Sequence, residues 1–179
     1  MTDAATLRND PAPALVATFT ATAARMDGLP FVNPRLRVEA VRFAAWEGHW
    51  LGVLVTPWFM NLVLAPRDPA AWTPLRLGAK RHFTFPAGDY EFIGAHDPAC
   101  GGFAMCSLFS PVQEFADHAQ AVAVATHALA ALFDPRNASD DPAPAANAAP
   151  PPPSATAARL AAPLSRRELL RGRFLDRDA

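Results

Sequence analysis

Cysteine and tyrosine are scarce in this chain, its charges nearly cancel, and it lacks a membrane-length apolar run. Of 179 residues, two are cysteine and one is tyrosine. The cysteines stand as C-x5-C in CGGFAMC (100–106), a spacing of neither a zinc knuckle nor a C-x-x-C redox site. Two thiols cannot staple a secreted framework, so a reducing cytoplasm is expected. A formal net charge of −1 gives no overall attraction to nucleic acid or to an anionic membrane. The most hydrophobic uncharged stretch, LGVLVTPWFMNLVLAP (51–66), falls short of the roughly 20 residues a membrane helix needs, and Pro57 and Asn61 interrupt it. The N-terminus, MTDAATLRNDPAPAL, has no basic segment followed by an apolar one, so no signal peptide and no stable membrane insertion are expected.

Catalytic signatures are missing too. His96 and Cys100 form an H-x3-C pair in GAHDPACGG, which reads either as half a metal site or as a surface turn with an incidental thiol. Cys106, in an apolar strand, reads as a small buried hydrophobe. Ser107 and Ser110 have no histidine or acid nearby in sequence, and CGGF is too short for a phosphate-cradling loop. Arg35, Arg37 and Arg42 are spaced like a solvated strand face rather than a nucleic-acid patch. No catalytic residue, metal or cofactor is expected. A metal- or redox-handling role for His96, Cys100 and Cys106 is the alternative, and a hydrolase would require a buried Ser107–histidine pair.

What is present divides into three parts. Residues 1–133 read as one α+β domain. Residues 134–163 hold eight prolines and eleven alanines with Leu160 as the only large apolar side chain, the composition of a disordered linker. Residues 164–179 form a short basic tail. Residues 159–177 sum to +4, whereas residues 1–134 sum to −3, so near-neutrality conceals an acidic body joined to a basic end.

Within the body, Asp10-Pro11 and Gly28 bracket a first helix with Leu15, Phe19, Thr22 and Met26 on one face. LRVEAVRFAAW and HWLGVLVT flank Glu47-Gly48 as a hairpin. FMNLVLA, KRHFTF, DYEFI and FAMCSLF supply four more strands, with Pro86-Ala87-Gly88 as a turn, and connections this short favour antiparallel pairing. Ser110-Pro111-Val112-Gln113 reads as a capping box opening a last helix, with Phe115, Ala119, Val122, Thr126, Leu129 and Phe133 as its buried stripe. The expected fold is an antiparallel sheet flanked by an N-terminal and a C-terminal helix.

The densest aromatic stretch is TPWFMNL (56–62). In a strand, Trp58, Phe59 and Met60 alternate faces, so Phe59 stands opposite both neighbours. The stretch reads either as burial on both sheet faces or as an apolar groove for a peptide, with Trp46, Trp50 or Trp72 nearby. Asn61 needs a hydrogen-bond partner if buried, and either a ligand backbone or the turn at Pro57 could serve. Asp89, Glu91 and Asp97 are rim acids for a basic peptide or, equally, ordinary loop carboxylates.

Four strings, NPRLRVEAVRF (33–43), LGVLVTPWFMNLVLAP (51–66), FPAGDYEFIG (85–94) and CSLFSPVQEFADHAQAVAVATHALAALF (106–133), resemble the HybE family of nickel–iron hydrogenase maturation chaperones. The likeness covers roughly residues 30–133, in order, and departs at Val112, where methionine is expected. It implies a non-enzymatic cytoplasmic chaperone without a cofactor. Such a protein holds hydrogenase precursors, the small subunit with its twin-arginine signal peptide and in some cases the large subunit, alongside other maturation factors, before cofactor insertion and export.

That likeness gives the tail a context. Ser165-Arg166-Arg167-Glu168-Leu169-Leu170-Arg171 is nearly a twin-arginine signature, yet only Phe174 and Leu175 follow as apolar residues, so it cannot direct export. It reads as an amphipathic helix packed on its own or another chain, as chance, as a recruitment element, or as a mimic that occupies the domain's own groove.

Overall fold

The computed structural model describes residues 9–69, 72 and 75–138. The basic tail and most of the linker lie outside the described residues. Helix α1 (Ala12–Arg25) is followed by strands β1 (Glu39–Trp46), β2 (His49–Val55), β3 (Met60–Pro66), β4 (Lys80–Phe85), β5 (Gly88–Asp97) and β6 (Gly101–Phe109), then helix α2 (His118–Leu132). The strands form one antiparallel sheet in the order β1-β2-β3-β6-β5-β4. An α+β domain with a helix on each side of the sheet was expected, and this is the fold found.

Alternation explains the two layers. Leu51, Val53 and Val55 on β2, and Met60, Leu62 and Leu64 on β3, turn toward α2 into the main core. Leu54, Val63, Ala65 and Phe103 turn to the other side, where Leu15 and Phe19 of α1 cover them. β3 is therefore buried along all seven residues, as befits a central strand covered on both faces. On the α2 side the sheet curls so far that its two edge strands meet. Trp46 of β1 stacks on Phe85 of β4 with ring centroids 4.4 Å apart.

The turns follow their sequences. Glu47 and Gly48 both take positive φ (42° and 78°), as a two-residue hairpin turn of matching twist requires. The Asp10 carboxylate accepts from the Ala12 amide at 2.9 Å, although the helix begins one residue later than the Asp10 cap implies.

α2 departs from the sequence expectation. It starts at His118, not Pro111, and its N-cap is Asp117, whose carboxylate accepts from Gln120 N at 2.8 Å. The Gln120 amide oxygen returns a bond to Ala116 N at 2.8 Å, so the reciprocal cap forms seven residues downstream of the string that imitates it. The buried face is also rotated. Ala121, Val124, Ala125, Ala128, Ala131 and Leu132 meet the sheet, Val122 and Leu129 flank them, and Ala119 and Phe133 are exposed. Alanines on the inner face let the helix axis lie close to the curled sheet. Beyond α2, a 3-10 turn (Pro135–Asn137) folds back so that Asn137 Nδ2 donates to Ala131 O at 3.0 Å.

One close approach fixes β1 on β2. The chain bulges between Val41 and Ala44, with Arg42 at φ 51°, and lays the Phe43 ring over Gly52. A Cβ at Gly52 would stand 2.2 Å from that ring. Gly52→Ala should therefore cost about 2–4 kcal/mol as the ring is driven off its site, measurable as a lower urea midpoint with an unchanged slope.

Candidate functional site

TPWF is not a strand but a tight two-residue connection from β2 to β3. Thr56 and Phe59 pair across it, with Thr56 N donating to Phe59 O at 2.9 Å. The Thr56 hydroxyl accepts from Phe59 N (2.9 Å) and Trp58 N (3.3 Å) and donates to Phe59 O (2.9 Å). This threonine is fully buried. Its hydroxyl thus takes up turn amides that would otherwise go unpaired.

A second buried polar residue anchors the turn from outside. Asn33 N donates to Pro57 O at 2.7 Å. The Asn33 side-chain amide donates to Val112 O and Phe115 O, both at 3.0 Å, and its oxygen accepts from Arg35 N at 3.1 Å. Residues 110–117 are thereby held as an irregular strap against the sheet end, with Phe115 fully buried and edge-on to Phe109 at 5.3 Å. The strap's carbonyls go to Asn33, which is why the helix expected there is absent.

The turn reverses the expected alternation of Trp58 and Phe59. Both rings lie on the α1 side, 5.6 Å apart and edge to face, and both meet Phe19 of α1, at 6.4 Å for Trp58 and 5.6 Å for Phe59. Met60 points to the opposite side and is wholly buried in the α2 core. It is not available to a ligand. Trp50 shares the α1 side, with Arg67 over its ring at 5.5 Å. Trp46 and Trp72 belong to the aromatic cluster on the far side.

Asn61 follows on the α1 side, between buried Leu54 on β2 and exposed Ser107 on β6. It stands at the margin of the area α1 covers and is 8% exposed. Its Nδ2 donates to Met105 Sδ at 3.7 Å, and its carbonyl oxygen has no partner among the described residues. The turn at Pro57 does not use it. Exchanging the amide's two ends would merely leave the other end unsatisfied, so either orientation carries a desolvation cost of about 1–3 kcal/mol.

Beyond this margin the same sheet face is open. Ile93 of β5 pairs with Met105 of β6 and is 43% exposed. The β5–β6 ladder runs from Ile93–Met105 to Asp97–Gly101, and past Ile93 the two strands part. Alternation puts Glu91 and Asp89 on this face, along the β5 arm that pairs with β4. Glu91 carries Lys80 at 2.9 Å and His82 at 3.7 Å, and Asp89 accepts from the Thr84 hydroxyl at 2.6 Å. Asp97 shares the face but lies about 20 Å from Glu91 at ~3.3 Å per residue. It caps its own turn, accepting from Ala99 N at 2.8 Å and Cys100 N at 3.3 Å. Of the seven residues singled out in the sequence, Trp58, Phe59 and Asn61 stand together around the β2–β3 turn, whereas Asp89 and Glu91 lie on the same face two strands away, on the β5 arm beyond the point where it leaves β6. Ile93, Met105 and Ser107, which join them, carry no signal in the sequence because only the sheet order brings them there.

The cysteines and histidines do not converge. Cys100 is buried on the α1 side with Thr18 Oγ1 at 3.3 Å, whereas Cys106 lies in the α2 core. His96 and Cys100 line an open depression of about 400 Å³ together with Trp72, Pro66 and Pro69. Among the described residues, no three His, Cys, Asp or Glu side chains come together as metal ligands. Ser107 is exposed, not a buried partner of a histidine.

The described residues thus make an α+β sandwich of one sheet between two helices, with part of the sheet's α1-side face left open around Asn61 and Ile93. The family described as "[NiFe]-hydrogenase assembly, chaperone, HybE" matches residues 10–172, and the chain belongs to it. The hydrogenase expression/formation protein HupJ of Bradyrhizobium diazoefficiens is 41% identical over 152 residues, 85% of this chain and 81% of that protein. HoxT of Cupriavidus necator is 42% identical over 139 residues, 68% of this chain and 73% of the relative. A Rhodobacter capsulatus protein named "Probable rubredoxin HupJ" is 42% identical over 113 residues, 63% of this chain, but the match spans only 41% of that protein's length. The solution structure of HybE from Escherichia coli shares the fold, with a TM-score of 0.59 at 23% identity over 90% of this chain and all of that one.

The fold at this site depends on Asn33. Asn33→Leu should lose about 1–3 kcal/mol, since it strands the buried Phe115 carbonyl and takes from Val112 O one of its two bonds. The loss is expected in a urea melt, with weakened near-ultraviolet circular dichroism from the released Trp58–Phe59 pair.

Proposed function

We propose that this protein is a cytoplasmic chaperone of nickel–iron hydrogenase precursors, and that its open sheet face holds an extended segment of the small subunit, its twin-arginine signal peptide, before cofactor insertion and export. Family membership supports the coarse role. The observation that carries the finer one is Asn61, a nearly buried amide left half-unsatisfied at the edge of an exposed face. A group that costs stability where it stands is often kept for a ligand.

The chemistry of the face suits such a client. Asn61 offers an acceptor for a backbone or guanidinium N–H once the flexible Met105 thioether moves aside. Ile93, Met105, Trp58 and Phe59 supply apolar contact, and Asp89 and Glu91 supply charge for the paired arginines. The parting of β5 from β6 gives an extended segment room to lie along strand edges. The large subunit and other maturation factors are further partners under this reading. Among the described residues, no helix is long and apolar enough to cross a membrane.

The test separates binding from folding. Asn61→Leu removes an unsatisfied polar atom and keeps the volume, so the melting temperature should hold or rise by a few degrees. Calorimetric affinity for a small-subunit signal peptide should nonetheless fall about 10-fold, near 1.4 kcal/mol. Equal affinity in the variant would remove Asn61 from the site, and absence of binding to the wild-type chain would remove the signal peptide as client.

A further inference from the structure

We infer that the chain's own basic tail, Ser165–Leu175, is an intramolecular occupant of this same sheet face, docking Arg166 and Arg167 against Asp89, Glu91 and the Asn61 carbonyl, and that a client must displace it. The inference rests on the reading of that face as the client site and adds its regulation. It names one occupant for a face that the described domain leaves open.

Three observations carry it. The first is where the described chain ends. Leu132 O accepts from Ala87 N at 3.0 Å, which ties the end of α2 to the β4–β5 turn, and Asn137 then folds back on Ala131. Ala138 therefore leaves the domain beside the turn that leads through Gly88 into Asp89. The 26 residues from 139 to 164 separate this exit from Ser165. At coil dimensions, as their Pro/Ala composition implies, they span about 28 Å. That is enough to reach the whole open arm of β5.

The second is complementary chemistry. The +4 of residues 159–177 faces a body of −3. Glu91 is held by Lys80, whose side chain is 57% exposed and readily exchanged for a guanidinium. Asp89 accepts from the exposed Thr84 hydroxyl, and Asn61 Oδ1 lacks a partner among the described residues. Leu169, Leu170 and Phe174 would meet Ile93 and Met105, the apolar part of the face. The third is extent. The family match runs to residue 172, through Ser165–Arg171, and so takes in the tail together with the domain.

Tethering sets the magnitude. A linker of this length gives an effective concentration of order 1 mM. A tail affinity of about 100 μM would then keep the face roughly nine-tenths occupied and weaken client binding about 10-fold, while a micromolar client still wins. Raised salt should loosen the tail, because the contacts are between exposed charges.

The experiment compares the full chain with a full-length Arg166→Glu, Arg167→Glu variant, a change outside the folded core. Amide shifts are recorded by NMR for both, and a small-subunit signal peptide is titrated into both by calorimetry. Docking predicts shift differences at Asn61, Glu91, Ile93 and Ser107 but not at Leu36 or Ala125 on the α2 side. It also predicts about 10-fold tighter client binding by the variant, and a synthetic 164–179 peptide added to the variant should restore the wild-type shifts. Spectra that superimpose outside the tail overturn the inference, as do differences that vanish on dilution, which would mean docking onto a second copy. If the spectra superimpose while client binds both chains equally, the client reading survives without the tail. If the face shifts but client binds neither chain, tail docking stands and the client reading falls.

Discussion

The Asn33 side chain, 5% exposed, joins three stretches of chain that are distant in sequence. Its own backbone amide grips Pro57, and its carboxamide grips Val112 and Phe115. Every bond is to a main-chain group, so the residue acts as a piece of secondary structure supplied by a side chain. Satisfied in this way, a buried amide specifies one arrangement strongly, because any shift of the strap or the turn leaves polar atoms stranded. The position of Trp58 and Phe59, the start of β3, and the delayed start of α2 all follow from it. His118 continues the same seam: its Nδ1 accepts from Arg37 N at 3.3 Å while Nε2 contacts Glu39 at 2.8 Å, locking the first turn of α2 to the entry of β1.

Against that rigid end, coverage of the sheet is uneven. On one face α2 packs over β1 and β2, and the curl that brings Trp46 onto Phe85 closes the rest of that core with the aromatics of β4 and β5. α1 covers β1 to β3, Phe103 of β6 and the Asp97–Cys100 turn, where Thr18 meets both Asp97 and Cys100. The uncovered arm of β4 and β5 remains soluble because its outward residues, Lys80, His82, Thr84, Asp89 and Glu91, are polar. Between the covered and polar zones runs a narrow strip of Asn61, Met105 and Ile93 that belongs to neither. Asn61 and Ile93 sit where core rules and surface rules both fail, with Met105 beside them at the edge of the α1-side core.

Most of the fold is legible in the sequence wherever the controlling interaction is local. The Glu47-Gly48 and Pro86-Ala87-Gly88 turns, the alternation of β4 and β5 and the proline-led start of α1 need only near neighbours. α2 was misplaced because its true cap, Asp117 with Gln120, competes with a similar string seven residues earlier, and Asn33, some 80 positions away, decides between them. Trp58 and Phe59 were placed on opposite faces because a two-residue turn in TPWF looks like continuous strand. The site was half legible for a related reason. Unusual residues such as Asn61 announce themselves, whereas Ile93, Met105 and Ser107 acquire meaning only when β6 inserts between β3 and β5.

That insertion also bears on how a holding protein can let go. Under the proposed reading, a client that must be released before export is poorly served by a large preformed apolar cleft, since tuning of affinity falls mainly on the off-rate. A strip one or two side chains wide, bordered by exchangeable ion pairs such as Lys80–Glu91, offers limited area and contacts weakened by solvent. Under the proposed reading, specificity comes from the half-satisfied Asn61 amide, which rewards a correctly placed N–H and penalises its absence. The rigid part of the molecule, from Asn33 through the TPWF turn, holds that amide in position, and the proposed reading puts the adjustable side chains where a client would come and go.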